Sequence, residues 1–526
     1  MLGFSDHRVR RAILAGTGCA VATLALAAGG LAQRAPEGDD VPTANTRQIS
    51  RVPAATELAW PLPASVPASY GTVDGPRMKQ YVEELAAISR RDRDRGNQYW
   101  GRIAGTPSGD ETQKWVEDKF REAGVPVEIK PFTMATQDVQ HSWSIEVSGG
   151  GQTIPITSAS PLINFADYAP SATGDLQLET VWCGLGMPSD FLGKDVRGKA
   201  VFIYSIPTPS SLVQSAQWME AAGRAQKLGA KALVVVLAIP GNMRYVSHLY
   251  PHSSISGAIK LPIFMSGLDD GEKVEALNAK LGGQGLTTRL RWSISHIEGA
   301  KAAIVMGVLP GRTDESIVMI AHTDGFFEGA ADDGAGTAAL IETAAHYARI
   351  PREQRRRTMY FVATPDHHGG DGGGGWLHRN FQATFGKTAV LMNAEHVAIM
   401  DPVWDRPWGS PQRPALIATN QLGASWWGVY GSDRLAHIVS DAYALFGVPT
   451  QVAPGGSSGE LRQVQFDAPS FYLHNKNVYY HSDADVPAVV PANGLRTAVQ
   501  AFIKIFDDVN RLDLPALQPP PAGGTK

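Results

Sequence analysis

The chain predicts a mixed α/β fold, a β-sheet flanked by helices, with a β-rich α+β region inserted into it. Three observations lead there. Apolar runs of strand length each end in a cluster of acids and histidines: Ser316 to Ile320 before His322 and Asp324, Phe361-Val362-Ala363-Thr364 before Asp366-His367-His368, and Ala389-Val390-Leu391-Met392 before Glu395-His396. Helix-forming stretches, 110–123 and 337–345, accompany those runs. Residues 140–290 differ in texture, with short β-like runs separated by turn residues. A fourth polar cluster, Tyr480-His481-Ser482-Asp483-Ala484-Asp485, lies far downstream. Ligands of open α/β sheets bind outside the carboxyl ends of the strands, so clusters at successive strand ends read as one site on one sheet edge.

From the N-terminus, Arg8, Arg10 and Arg11 precede the apolar segment Ala12 to Leu26, and Gly30-Leu31-Ala32 offers small residues for cleavage. That is the pattern of a secretory signal peptide over residues 1–32, which implies a secreted or periplasmic protein. No second apolar run reaches the roughly 18 residues of a membrane span. Cys19 lies within the apolar segment without a lipidation sequence before it. Cys183 would be alone in the mature chain, which excludes an internal disulfide. Residues 33–70 read as linker and the Pro-rich 514–526 as tail. A length of 526 residues exceeds what one core sustains, and 43% apolar with 19% charged residues describes a folded chain. A net charge of -4 without a basic tract gives no sign of a nucleic-acid partner.

The helix expected from Asp110 to Ala123 has Ser108 as a possible cap, Val116 and Phe120 on one face, and Gly124 at its end. Within the insert, Ala200-Val201-Phe202-Ile203-Tyr204 and Leu233-Val234-Val235-Val236-Leu237 read as strands. Ala216 to Leu228 reads as a helix with Trp218, Ala221, Ala222, Ala225 and Leu228 on one face. The glycine run 369–375 has neither the Lys-Ser/Thr of a P-loop nor a dinucleotide fingerprint, and reads as a flexible loop. His346 and His378 read as surface or packing residues, and Trp404, Trp408, Trp426 and Trp427 as a cleft wall or core.

The chemistry concentrates around His322. Its i, i+2 spacing from Asp324 points both side chains to one side of a strand, so one can bind metal while the other orients it. The Gly-rich turn that follows carries Asp332 and Asp333 into a strong helix former, which places Asp332 at a helix entrance.

With Gly101-Arg102-Ile103-Ala104-Gly105-Thr106-Pro107 upstream and Val308-Leu309-Pro310-Gly311 before the first cluster, this order of motifs resembles the M28 zinc peptidases. These include di-zinc aminopeptidases and glutamate carboxypeptidase-like enzymes. The resemblance covers residues 75–135 and 297–510 and implies a discontinuous catalytic domain, 71–139 and 291–513, around an insert of 140–290. It implies two zinc ions: His322 on the first, Asp332 bridging, Glu395 completing the first site, and His481 on the second. Asp324 and Asp333 would stand behind the ligands. Where the family has adjacent glutamates this chain has Asp366-His367, so Asp366 would be the general base and His367 a zinc ligand. A one-residue shift would make His367 the base and His368 the ligand; the unshifted register keeps Gly369 in the glycine position that follows the pair. Tyr480 matches an oxyanion-stabilising position, or serves packing. Asp195-Val196-Arg197-Gly198-Lys199, Gly229-Ala230-Lys231-Ala232 and Leu261-Pro262-Ile263-Phe264-Met265-Ser266 resemble successive elements of a protease-associated (PA) domain. The implied function is an exported zinc exopeptidase acting on peptides, an aminopeptidase first. A carboxypeptidase on small or acidic peptides, or a catalytically impaired homologue that binds peptides, are the alternatives.

Overall fold

The structure, a computed structural model, describes residues 62–134, 136–163, 165–208, 211–216, 218–247, 259–369, 372–405, 415–451, 461, 468–475 and 479–517. The expected signal peptide with Cys19, the linker as far as residue 61, Trp408 and the tail from 518 lie outside the described residues.

Seven strands form the sheet that carries the polar clusters. They are β1 (Val127–Thr133), β2 (Lys301–Leu309), β3 (Glu315–His322), β4 (Thr358–Thr364), β5 (Lys387–Glu395), β6 (Ser425–Tyr430) and β7 (Ser470–Asn475), in the order β6-β7-β5-β3-β4-β2-β1. β7, β5, β3 and β4 run parallel, while β6 pairs antiparallel with β7, β2 with β4, and β1 with β2. The sheet is thus mixed. Central parallel strands are covered on both faces and so read as unbroken apolar runs. In β3, Ile317, Met319 and Ala321 face one apolar cluster and Val318 and Ile320 the other. The parallel register sets His322 opposite Thr364 and Glu395 opposite His474, which brings their C-terminal ends level.

The helices are α1 (Gly75–Asp94), α2 (Pro107–Glu122), α3 (Gly336–Ala348), α4 (Gly372–Phe385), α5 (Asp433–Phe446) and α6 (Ala492–Asn510). α3 is the crossover between β3 and β4 and is buried from Gly336 to Tyr347, as befits a helix apolar on every side. It packs against the sheet and against α1 and α6. Leu377, Phe381 and Phe385 of α4 cover the opposite sheet face.

Three local expectations need correction. α2 begins at Pro107, ahead of Asp110, because Pro is suited to the first helical turn, where its missing N–H costs nothing. The glycine run becomes helix from Gly372: tertiary packing of α4 overrides propensity, and a Cβ at Gly373 would lie 3.1 Å from Thr364 Cβ. The helix expected over 216–228 spans Trp218–Lys227, and Leu228, just beyond it, is exposed rather than on the buried face.

Between β1 and β2, residues 136–298 build a second sheet of nine strands. Ala200–Thr208 and Ala232–Leu237 are among them. In its core Phe165 meets Trp292 edge to face, and Phe264 packs against both at a tilt. The chain leaves and returns at one place, since Thr133 pairs with Lys301.

Candidate metal centre

His322 is the last residue of β3 and is wholly buried. Its Nδ1 lies 3.1 Å from the carbonyl oxygen of Asp324. A carbonyl only accepts, so Nδ1 carries the proton and Nε2 presents a lone pair. That Nε2 sits 3.3 Å from Asp332 Oδ1 and makes no hydrogen bond.

Asp332 reaches this point through a tight turn, Ala330–Ala335, whose backbone is not helical at Asp332 and Asp333 and which leads into α3. The carboxylate of Asp485 accepts the backbone N–H of Ala331 at 2.8 Å and of Asp332 at 3.0 Å, which fixes the turn. Asp333 Oδ1 accepts the N–H groups of Gly336 and His396. Only glycine fits at 336, because a Cβ there would lie 2.3 Å from Asp333 Oδ2 and 2.4 Å from the Ala394 carbonyl oxygen. Arg102, buried, holds the loop between His322 and Asp332 from behind: it donates to the carbonyls of Thr323, Glu328 and Gly329 at 2.7–2.9 Å.

Both oxygens of Asp332 are buried without a hydrogen bond. His396 Nε2 at 3.0 Å joins His322 on Oδ1. His481 Nε2 at 3.3 Å and His368 Nε2 at 3.7 Å stand against Oδ2. The donors of Asp332, His368 and His481 lie within 4.8 Å of one another, as do those of His322, His367 and His368, and those of Glu395, His396 and His474. Donors grouped this closely around a carboxylate whose two oxygens make no hydrogen bond are what a metal site requires, and imidazole with carboxylate suits zinc.

Residues 366–368 follow β4 as an irregular segment. The carboxylate of Asp324 accepts the backbone N–H of His367 at 3.0 Å and of His368 at 2.9 Å, and takes His368 Nδ1 at 2.8 Å. This turns His368, not His367, towards Asp332. His367 instead stacks on His322 with ring centroids 4.3 Å apart, and its Nε2 lies 3.8 Å from Glu395 Oε1. Asp366 is buried beside His368, on the wall of a small cavity of about 20 Å³ that Tyr99, Gln137, Asp138 and Phe326 also line. Glu395 Oε2 accepts from the Asn393 amide at 3.0 Å. His481 Nδ1 is 3.0 Å from the carbonyl oxygen of Val246, and Tyr480 stacks on the His481 ring at 3.5 Å. Trp426 approaches His474 edge-on. His346 packs in α3 against Tyr70 and Tyr347. Sequence reasoning found Arg102 only as part of the Gly101–Pro107 motif, placed His396 beside Glu395 without its approach to Asp332, and passed over Val246.

The electrostatics follow from burial among mixed charges. Burial opposes ionisation of Asp332, yet the neighbouring His396 and His368 hold its carboxyl well below the usual range. Burial likewise opposes charge on Glu395, and His474, His367 and His396 outweigh it in the same sense. Burial pushes Asp333 up to about 8 and Asp485 up to about 7. Burial disfavours charge on His396, but Asp332 raises it to about 9.

Residues 304–394 match the model for peptidase family M28. The matched segment holds His322, Asp332 and residues 366–368 and ends before Glu395, His396 and His481. No curated protein matches the chain in sequence. In fold the chain is similar to the aminopeptidase from Aneurinibacillus sp. strain AM-1, at 16% identity and a TM-score of 0.52 over 84% of this chain and 95% of that one. It is similar to BSAP, a zinc aminopeptidase from Bacillus subtilis, at 17% and 0.57 over 85% and 98%. It is similar to a peptidase M28 precursor from Shewanella amazonensis SB2B, at 16% and 0.58 over 86% and 99%. The mixed α/β architecture is the one these structures have. The matched segment and the fold together support a metallopeptidase.

Proposed function

We propose that the chain is an exported zinc-dependent exopeptidase, in its simplest form an aminopeptidase. The observation that supports this best is Asp332, a buried carboxylate with no hydrogen bond on either oxygen and two imidazole Nε2 atoms against each. Asp332, His368 and His481 would hold one zinc ion; His322, Asp332 and a donor from Glu395-His396 would hold the other. Zinc in such a pair supplies Lewis acidity towards a scissile carbonyl and lowers the pKa of water.

The remaining residues orient and move protons. Asp324 and the Val246 carbonyl fix the Nδ1 side of His368 and His481, which leaves each Nε2 facing Asp332. His367, against His322 and within 3.8 Å of the Glu395 carboxylate, is the group we assign to take and return a proton. Asp366, expected in that role from the sequence, then shapes the cavity beside His368. Tyr480 keeps its assignment as a donor to the oxyanion. The second sheet is read as the PA-like region, and export rests on the Arg8 to Ala32 pattern.

The test is hydrolysis of aminoacyl anilides by the zinc-loaded protein, beside their N-acetylated forms and acidic dipeptides. Cleavage of free-amino substrates alone, lost on chelation and restored by zinc, is expected. Cleavage of the acidic dipeptides alone would move the reaction to the other peptide end. Bound zinc with no turnover of any substrate would leave a binding role.

A further inference from the structure

His396 has two properties that a residue following a strand has no need of. Its backbone is left-handed, with φ of 49°, a conformation strained for a non-glycine residue. The surroundings enforce it: its N–H donates to Asp333 Oδ1 at 3.1 Å, and its carbonyl accepts from the Asn475 N–H at 3.1 Å. Its ring is also completely buried, and neither nitrogen makes a hydrogen bond of good geometry.

Both properties make sense if the ring meets a cation. Successive residues of a strand point to opposite faces. The left-handed step after Glu395 lets His396 turn its ring back to Asp332, with Nε2 at 3.0 Å from Oδ1. Two donors each about 2.0–2.1 Å from one tetrahedral zinc lie roughly 3.3 Å apart. The His396 and His322 contacts to Oδ1, 3.0 and 3.3 Å, both suit donors that share an ion. His481 stands in the same relation to Oδ2 at 3.3 Å. Glu395 does not: one of its oxygens takes the Asn393 amide, and the other lies 3.8 Å from His367 Nε2.

We infer that His396, rather than Glu395, is the third protein ligand of the ion on Asp332 Oδ1, so that one aspartate and four imidazoles hold the pair of ions. Glu395 then lies outside the ligand set, a negative charge beside His367 and His474 that offsets the cations. This inference rests on the zinc-peptidase reading above and would refine it.

Zinc stoichiometry of the full-length protein tests it without any reference to activity. Wild type should bind two equivalents, His396→Ala one with the second weakened by more than about 100-fold, and Glu395→Gln two, weakened by at most about 10–100-fold as for an outer partner. Two tight equivalents in His396→Ala with one in Glu395→Gln would overturn the inference and leave the zinc-peptidase reading intact. No zinc on the wild type would overturn both. Should His396→Ala fail to fold, the crystal structure of the zinc-loaded wild type decides: His396 Nε2 at about 2.0–2.1 Å from the metal is expected, and a Glu395 oxygen in its place refutes it.

Discussion

The Nδ1 atom of His481 lies 3.0 Å from the carbonyl oxygen of Val246, so a residue from the chain between β1 and β2 orients a side chain of the candidate centre. The contact is reinforced on both sides: Val246 N–H donates to the His481 carbonyl, and the Arg244 N–H donates to the carboxylate of Asp483. Arg244 itself is half-buried, with Nη2 on the Gln98 carbonyl and its guanidinium over the Phe327 ring. Replacing it with Ala should loosen this segment and weaken zinc binding by about 10–100-fold, the usual effect of losing an orienting partner. A competitive chelator titration reads this directly.

Arg102 closes three carbonyls of the loop that links His322 to Asp332. Arg102→Met would leave those acceptors buried and unpartnered, at roughly 1–3 kcal/mol each before relaxation. We expect a loss of about 3 kcal/mol or more in urea unfolding of the zinc-loaded protein, with activity falling alongside.

His367 and Asp366 compete for one role. If His367 moves the proton, His367→Gln should lower kcat by about 10²–10⁴-fold with KM little altered, while Asp366→Asn should cost less than about tenfold. The reverse order of effects would return the base to Asp366. Steady-state kinetics on one good anilide substrate separates the two.

Chelation should destabilise the chain, because the buried donors around Asp332 lose their common partner. Free zinc at one hundred times its Kd should restore about 2.7 kcal/mol for each site filled, visible as a concentration-dependent rise in Tm.

His346 provides a pH prediction away from the metal. Burial in α3 lowers its pKa below 6.5. Between the folded value and 6.5 the unfolded chain binds the extra proton, so stability falls as pH drops through that window, by at most about 1.4 kcal/mol per unit. His346→Gln should flatten the difference between urea midpoints at pH 7.5 and 5.5 relative to wild type. An unchanged slope would show that His346 titrates normally.

Much of this arrangement was legible because strand period and cluster position are local. Apolar runs ending at His322, Asp366 and Glu395 identify β3, β4 and β5, and a parallel register brings their ends level. What was not legible depends on contacts across the chain. The order of Asp366, His367 and His368 is decided by two backbone N–H bonds to Asp324, some forty residues earlier. The turn of His396 depends on Asp333 and Asn475. The glycines of α4 looked like a loop because propensity cannot register how closely a helix must approach Thr364.

The segment that builds the nine-stranded sheet leaves β1 at Thr133 and returns to β2 at Lys301, which pair with each other. A short hairpin could therefore join β1 to β2 directly, and the seven-stranded sheet would keep every one of its pairings. Such a miniaturised chain would still lose the Val246 carbonyl, and with it the restraint that selects one tautomer of His481. Removing the excursion would be simple as topology and damaging as chemistry. Whatever its origin, that excursion has become part of the scaffold on which the candidate centre depends.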